Sequence, residues 1–244
     1  MSSDNNDDLK SKSGLVIAFD FGTTFTGVAF YHSGGAIGEV NEHDVYAIAQ
    51  KVNVIDTWPL NPSLQYTEKT PTILAYHTDP PIWGGSVRPS HTLQVARFKL
   101  GLEPSVTLHY GYPNSNGFGR HPNLPDKEPV DFTTEYLTCV QNYLQNVCLP
   151  RQFGDDFLQN QRMTYIVTVP AIWTDKAKDL TRRAASQAVG VPFTDNSLIL
   201  ISEPEAAALY CSSMCQKVDL KAGDRFLVCD AGGGTVVNPR QSQQ

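Results

Sequence analysis

Asp20 heads the run Asp20-Phe21-Gly22-Thr23-Thr24, and Asp230 heads Asp230-Ala231-Gly232-Gly233-Gly234-Thr235. In each, an apolar stretch long enough for a buried strand, residues 15–19 or 226–229, ends in a carboxylate and then in small residues. Such a carboxylate can hold a hydrated divalent cation, and Mg²⁺ in particular keeps several of its waters. Glycine lets the backbone bend sharply and approach a ligand closely, so N–H groups of each turn can cradle phosphate oxygens while the threonine hydroxyls add donors. The two segments read as halves of one phosphate clamp. Taken singly, each is more often a tight turn than a ligand loop.

The elements that must hold these residues follow from periodicity and breakers. Residues 15–21 and 25–31 read as a hairpin around Gly22-Thr23, and a further strand is expected within 45–57. Residues 58–69, with Pro59 and Pro62, read as a loop; 72–76 and Ile82-Trp83, before Gly84-Gly85, read as a second hairpin in an insertion spanning about 45–125. Residues 101–131, rich in Gly, Pro, Asn and His, fit a long surface excursion. From Phe132, the apolar residues Leu137, Val140, Leu144 and Val147 recur as on one helix face, with Pro150 as the expected stop. A strand at 165–169 is bounded by Pro170, and a helix follows with Thr174 as cap and Asp175 at its positive end. A short strand at 198–201 leads into Ser202-Glu203-Pro204-Glu205, the Ser-x-x-Glu spacing of a capping box, and a helix to about Met214. The strand at 226–229 then enters the second glycine turn. This is a mixed α/β layer, whose ligand crevice belongs at the strand ends.

Composition narrows the function. The chain has 244 residues, 41% hydrophobic and 18% charged, which suits a globular protein with a sizeable core. Nineteen basic against 25 acidic residues give a net charge of −6, and no basic run could neutralise several phosphates of a polynucleotide, so nucleic acid is not an expected partner. The first thirteen residues are polar, without the apolar core of a signal peptide, and read as a disordered tail; no later run has the length of a membrane span. A cytoplasmic location is expected, with the nucleus as the alternative. The five cysteines, Cys139, Cys148, Cys211, Cys215 and Cys229, form no C-x-x-C pair and read as reduced and mostly buried. Cys211 and Cys215 share a helix face, but no histidine lies nearby to complete a metal set.

The order of four motifs carries a resemblance. Asp20-Phe21-Gly22-Thr23-Thr24, Thr168-Val169-Pro170-Ala171, Glu203-Pro204-Glu205-Ala206-Ala207-Ala208 and Asp230-Ala231-Gly232-Gly233-Gly234-Thr235 together resemble the nucleotide-binding domain of the seventy-kilodalton heat-shock chaperones. That domain belongs to the actin-like ATPase superfamily, with a ribonuclease H-like mixed sheet and flanking helices. The resemblance covers roughly residues 14–235, and its Ala-Gly-Gly-Gly-Thr and Phe-Lys-Leu elements look like the divergent heat-shock-70-like branch of fungi and animals. It implies ATP and Mg²⁺ as ligands, ADP as product, and the metal's water shell held by Asp20 and Asp230. It implies Gly22, Thr23 and Thr24 around the phosphates from one lobe, and Gly232, Gly233, Gly234 and Thr235 from the other. Glu203 would position metal-bound or attacking water, Lys99 would reach the terminal phosphate, and Asp230 joins them in catalysis. Pro170 matches the family's switch proline, and Lys178 stands where the family has an arginine. An ammonium does not reproduce a guanidinium fork, so signalling between lobes is expected to differ.

The resemblance also implies a division into a first lobe at 14–223, the first strand and phosphate turn of a second at 224–237, and an unstructured tail at 238–244. After Thr235 the sequence departs from the family: Val237 stands where an Asp is usual, and Asn238-Pro239 follows. On this reading most of the second lobe lies outside the sequence. The expectations are then ATP binding without efficient hydrolysis, or a non-catalytic fragment or interaction module derived from such an ATPase. A sugar-kinase relative is a third reading, which the Glu203 to Ala208 helix disfavours. Strand 226–229 would lack a sheet, so Phe226, Leu227 and Val228 are expected to be exposed or to drive self-association.

Overall fold

The computed structural model describes residues 14–33, 42–59, 67–103, 105, 124–214, 227–231 and 236–237. Strands β1 (Gly14–Phe21) and β2 (Phe25–His32) form the expected antiparallel hairpin, with Asp20 opposite Gly27 and Phe21 opposite Thr26. Strands β3 (Asn53–Val54) and β4 (Lys69–Pro71) both pair antiparallel with β2. A second, three-stranded sheet holds β5 (Ile73–Ala75) between β6 (Ile82–Trp83) and β7 (Gln94–Ala96), so the hairpin expected at 72–83 is present, with Leu74 opposite Trp83. On the other side of β1 lie β8 (Arg162–Val169) and then β9 (Leu198–Ser202), parallel to each other and to β1. The main sheet therefore runs β3-β2-β1-β8-β9, antiparallel at one side and parallel at the other. Parallel neighbours need a crossover, and helices supply it.

Alternation along β1 decides which face is covered. Leu15, Ile17, Phe19 and Phe21 are all buried, and they share one core with Tyr136, Leu137 and Val140 of helix α2 and with Leu144 just after it, counting helix α1 as Glu42–Ala49 and α2 as Pro129–Tyr143. Full burial of each such side chain contributes roughly 1.5–3 kcal/mol. Small residues of the next long helix, Ala177, Ala185 and Ala188, complete that layer and let it approach α2 closely.

The strand expected within 45–57 is present as Asn53–Val54, preceded by helix α1 over Glu42–Ala49. Two sequence expectations need correction. Pro150 does not end the helix. The turn widens to a π-helical segment at Leu144–Cys148, and helix α3 (Leu149–Phe153) continues with Pro150 in its first turn. Gly154, at φ 92°, stops it. At the far end, residues 227–229 do not form a regular strand: antiparallel pairing falls on β10 (Asp230–Ala231) and β11 (Val236–Val237). The tail at 1–13, most of the excursion at 104–123, Cys215, Phe226, Gly232 to Thr235 and the tail at 238–244 lie outside the described residues.

Candidate functional site: the turn after strand β1

The first glycine turn is tightly determined. A Cβ on Gly22 would stand 2.2 Å from the carbonyl oxygen of Phe25, so no other residue fits without moving backbone. Thr72, just beyond β4, ties the turn down: its N–H donates to the Thr24 carbonyl at 2.8 Å and its hydroxyl to the Gly22 carbonyl at 2.9 Å. With that proton committed, the 2.9 Å contact between the Thr26 and Thr72 hydroxyls has Thr26 as donor. The C=O and N–H of a trans peptide point opposite ways, so the Thr23 N–H faces away from Thr72. Thr23 and Thr24 are half-buried.

Asp20 sits one residue before the end of β1. Its Oδ2 accepts from the Lys69 ammonium at 2.6 Å, and its Oδ1 accepts from the Thr168 hydroxyl at 3.3 Å. Thr168 comes from β8, so the carboxylate is held from both sides of β1. Lys69 and Thr168 were not among the expected site residues. Their signal lies in strand register, which the one-dimensional sequence does not display.

Lys99 is nearly inaccessible, at 2% exposure, although a lone lysine is ordinarily solvated. It lies in a short 3-10 turn, Phe98–Leu102, entered through Arg97, whose φ of 59° is the one left-handed non-glycine backbone among the described residues. The ammonium donates to the carbonyl of Phe21 and, at 2.6 Å, to Oε1 of Glu203. It also lies 5.4 Å from the ring centroid of Phe21 and 5.5 Å from that of Trp173. Lys99 is thus fastened directly behind the turn that Asp20 opens.

Two helix starts complete the frame. Helix α4 (Asp175–Val189) has Thr174 as its cap, with the Thr174 hydroxyl accepting from the Ala177 N–H at 3.3 Å. Glu103, which follows the Lys99 turn, accepts from the Thr174 N–H at 2.8 Å and hydroxyl at 2.7 Å, and from the Ser105 hydroxyl at 2.8 Å. Burial alone would raise its pKa, but these hydrogen bonds prevail and hold it down at about 2. Helix α5 (Glu203–Met214) begins at Glu203 itself, with Ser202 capping: the Glu205 N–H donates to the Ser202 hydroxyl at 3.3 Å, as the sequence spacing predicts. The carboxylate facing Lys99 therefore stands at the positive end of a helix dipole.

The remaining expected residues are placed as follows. Pro170 is buried directly after β8, and its carbonyl accepts from the Trp173 N–H at 3.2 Å. Lys178, in the first turn of α4, is half-buried. Asp230 lies in β10 opposite Val237. Cys139 and Cys148 are half-buried, whereas Cys211 and Cys229 are exposed, so the cysteines are less buried than composition suggests. Among the described residues, no group of three or more His, Cys, Asp or Glu could hold a metal ion by side chains alone. Nor is any described helix long and apolar enough to cross a membrane.

A mixed sheet in this strand order, with flanking helices and a glycine turn after its first strand, is the α/β architecture of an actin-like ATPase fold. Curated proteins narrow the class further. The chain is 26% identical over 215 residues to heat shock 70 kDa protein 12A of Mus musculus, covering 82% of this chain and 29% of the relative. It is 23% identical over 293 residues to heat shock 70 kDa protein 12B of Homo sapiens, covering 91% and 39%, and 27% identical over 257 residues to a heat shock protein homologue of Encephalitozoon cuniculi, covering 93% and 34%. No family model matches. The chain is similar to these heat-shock-70-like proteins, and it spans about three tenths of the length of the first of them.

Proposed function

We propose that the chain binds ATP, with the Gly22-Thr23-Thr24 turn around its phosphates and Lys99 as the cation behind them. The observation that carries this reading is the burial of Lys99 against the Phe21 carbonyl and Glu203. An ammonium has three protons; those two acceptors take two, and the third is left for a phosphate oxygen. A cation preorganised in a site shielded from water stabilises charge that develops on a transferring phosphoryl group. In this reading Glu203 orients the attacking water while also fixing Lys99, and the Thr23 N–H and the two threonine hydroxyls bind phosphate.

Bound Mg²⁺ would neutralise phosphate charge. Asp20 would hold its water shell from this side, and Asp230 with Gly232, Gly233, Gly234 and Thr235 would act from the other. Asp20 fits that task by its place at the phosphate turn and its half-exposed carboxylate, once Lys69 yields it. Pro170, buried at the end of β8, and Lys178 would relay nucleotide state to the rest of the protein.

A second reading, ATP binding without efficient turnover, is favoured by one specific contact, the pairing of Asp20 with Lys69 at 2.6 Å. Calorimetric titration of MgATP, followed by a measurement of phosphate release, separates the two. Binding with release supports an ATPase, binding without release supports a nucleotide-holding module, and no binding refutes both.

A further inference from the structure

Asp20, Gly27 and Lys69 occupy one registered row across three strands: Asp20 pairs with Gly27 between β1 and β2, and Gly27 pairs with Lys69 between β2 and β4. Two interstrand steps separate Asp20 from Lys69, about 10 Å of backbone. The lysine bridges them by laying its stem over Gly27. A Cβ at position 27 would already touch that stem, 3.4 Å from Cγ and 3.5 Å from Cε, so a longer side chain would fill the lane. The row ends with the ammonium 2.6 Å from Asp20 Oδ2, and the pair is half-exposed, at 53% for Lys69 and 47% for Asp20. A pair this open to water is held weakly. It does not support the core, and its cation can be exchanged.

We propose that Lys69 is a built-in counter-cation of Asp20 that competes with the divalent ion for this carboxylate. The proposal rests on the reading that Asp20 serves a divalent cation. While Lys69 is on Asp20, the carboxylate is neutralised and the phosphate turn carries a tethered positive charge. A divalent ion must displace Lys69 to reach Asp20, so divalent affinity is set by the lysine as well as by the carboxylate.

The test is a titration with Mn²⁺ alone, without nucleotide, reading the free ion by electron paramagnetic resonance in the intact chain. Lys69→Met keeps the stem over Gly27 and removes the charge. It is expected to bind Mn²⁺ about two- to fivefold tighter than the unaltered chain, the range that a half-exposed ion pair supplies. Adding Asp20→Asn to Lys69→Met should abolish the gain. Equal or weaker Mn²⁺ binding by Lys69→Met, a gain that survives Asp20→Asn, or no Mn²⁺ binding by either protein overturns the proposal. The nucleotide reading fails separately: MgATP would then bind none of the variants while the Mn²⁺ difference persists.

Discussion

Lys99 and Glu203 are 104 positions apart in the chain and meet at 2.6 Å, with the ammonium closed off from water by Phe21 and Trp173. That contact joins the 3-10 turn after β7 to the start of α5 and places both groups behind the glycine turn of β1. Replacing Glu203 by Gln leaves a buried ammonium without its counter-charge, and a hydrogen bond to a charged group contributes about 1.5–3 kcal/mol. Glu203→Gln is expected to lose stability by that amount in urea denaturation. An unchanged midpoint would mean that Lys99 is held by the Phe21 carbonyl and the rings alone.

Glu103 makes the fold acid-sensitive in a defined window. Its folded pKa, about 2, lies below the ordinary value of 4.5. Its contribution is therefore complete above pH 4.5 and is lost as the pH falls towards 2. The amount is about 1–3 kcal/mol. Glu103→Gln should flatten stability against pH in that interval, checked by denaturation midpoints at several pH values; a slope equal to that of the unaltered chain would contradict the assignment.

Gly22→Ala tests the turn directly. Its methyl would sit 2.2 Å from the Phe25 carbonyl oxygen, so the backbone must shift. A cost of about 1–3 kcal/mol is expected, the range for forced overpacking. Thermal denaturation checks it, and a loss of MgATP binding beyond the loss of stability would tie the turn's shape to phosphate.

The hairpin at Gly22, the strand before Pro170 and the start of the helix at Thr174 were legible because local chemistry sets them: a required glycine, a breaker and a cap. The π-turn before Pro150 was not, because the sequence shows the proline but not the widening that accommodates it. Lys99 was legible as a candidate only through its neighbours in the Phe-Lys-Leu element; its burial depends on Phe21, Trp173 and Glu203, brought from three other elements. Lys69 was invisible for a related reason. Its link to Asp20 is a matter of register across β2, with 49 positions between the two residues. The left-handed Arg97 likewise gives no signal in sequence, since arginine has no preference for that conformation.

Exposed apolar side chains predict association. Leu227 is 60% exposed, and Leu209 and Tyr210 on α5 are also exposed. Large exposed apolar groups favour contact between molecules. Sedimentation velocity should show concentration-dependent dimers or larger species, reduced in Leu227→Lys. A single monomeric species across the concentration range would contradict this.

Calorimetric titration of MgATP into the chain and into Lys99→Met tests the central claim most directly. Magnesium-dependent binding in roughly the micromolar range is expected for the chain, weakened about ten- to a hundredfold in Lys99→Met, the loss of one hydrogen bond to a charged group. No detectable binding, or binding of equal strength in both proteins, would contradict the assignment of this site to ATP.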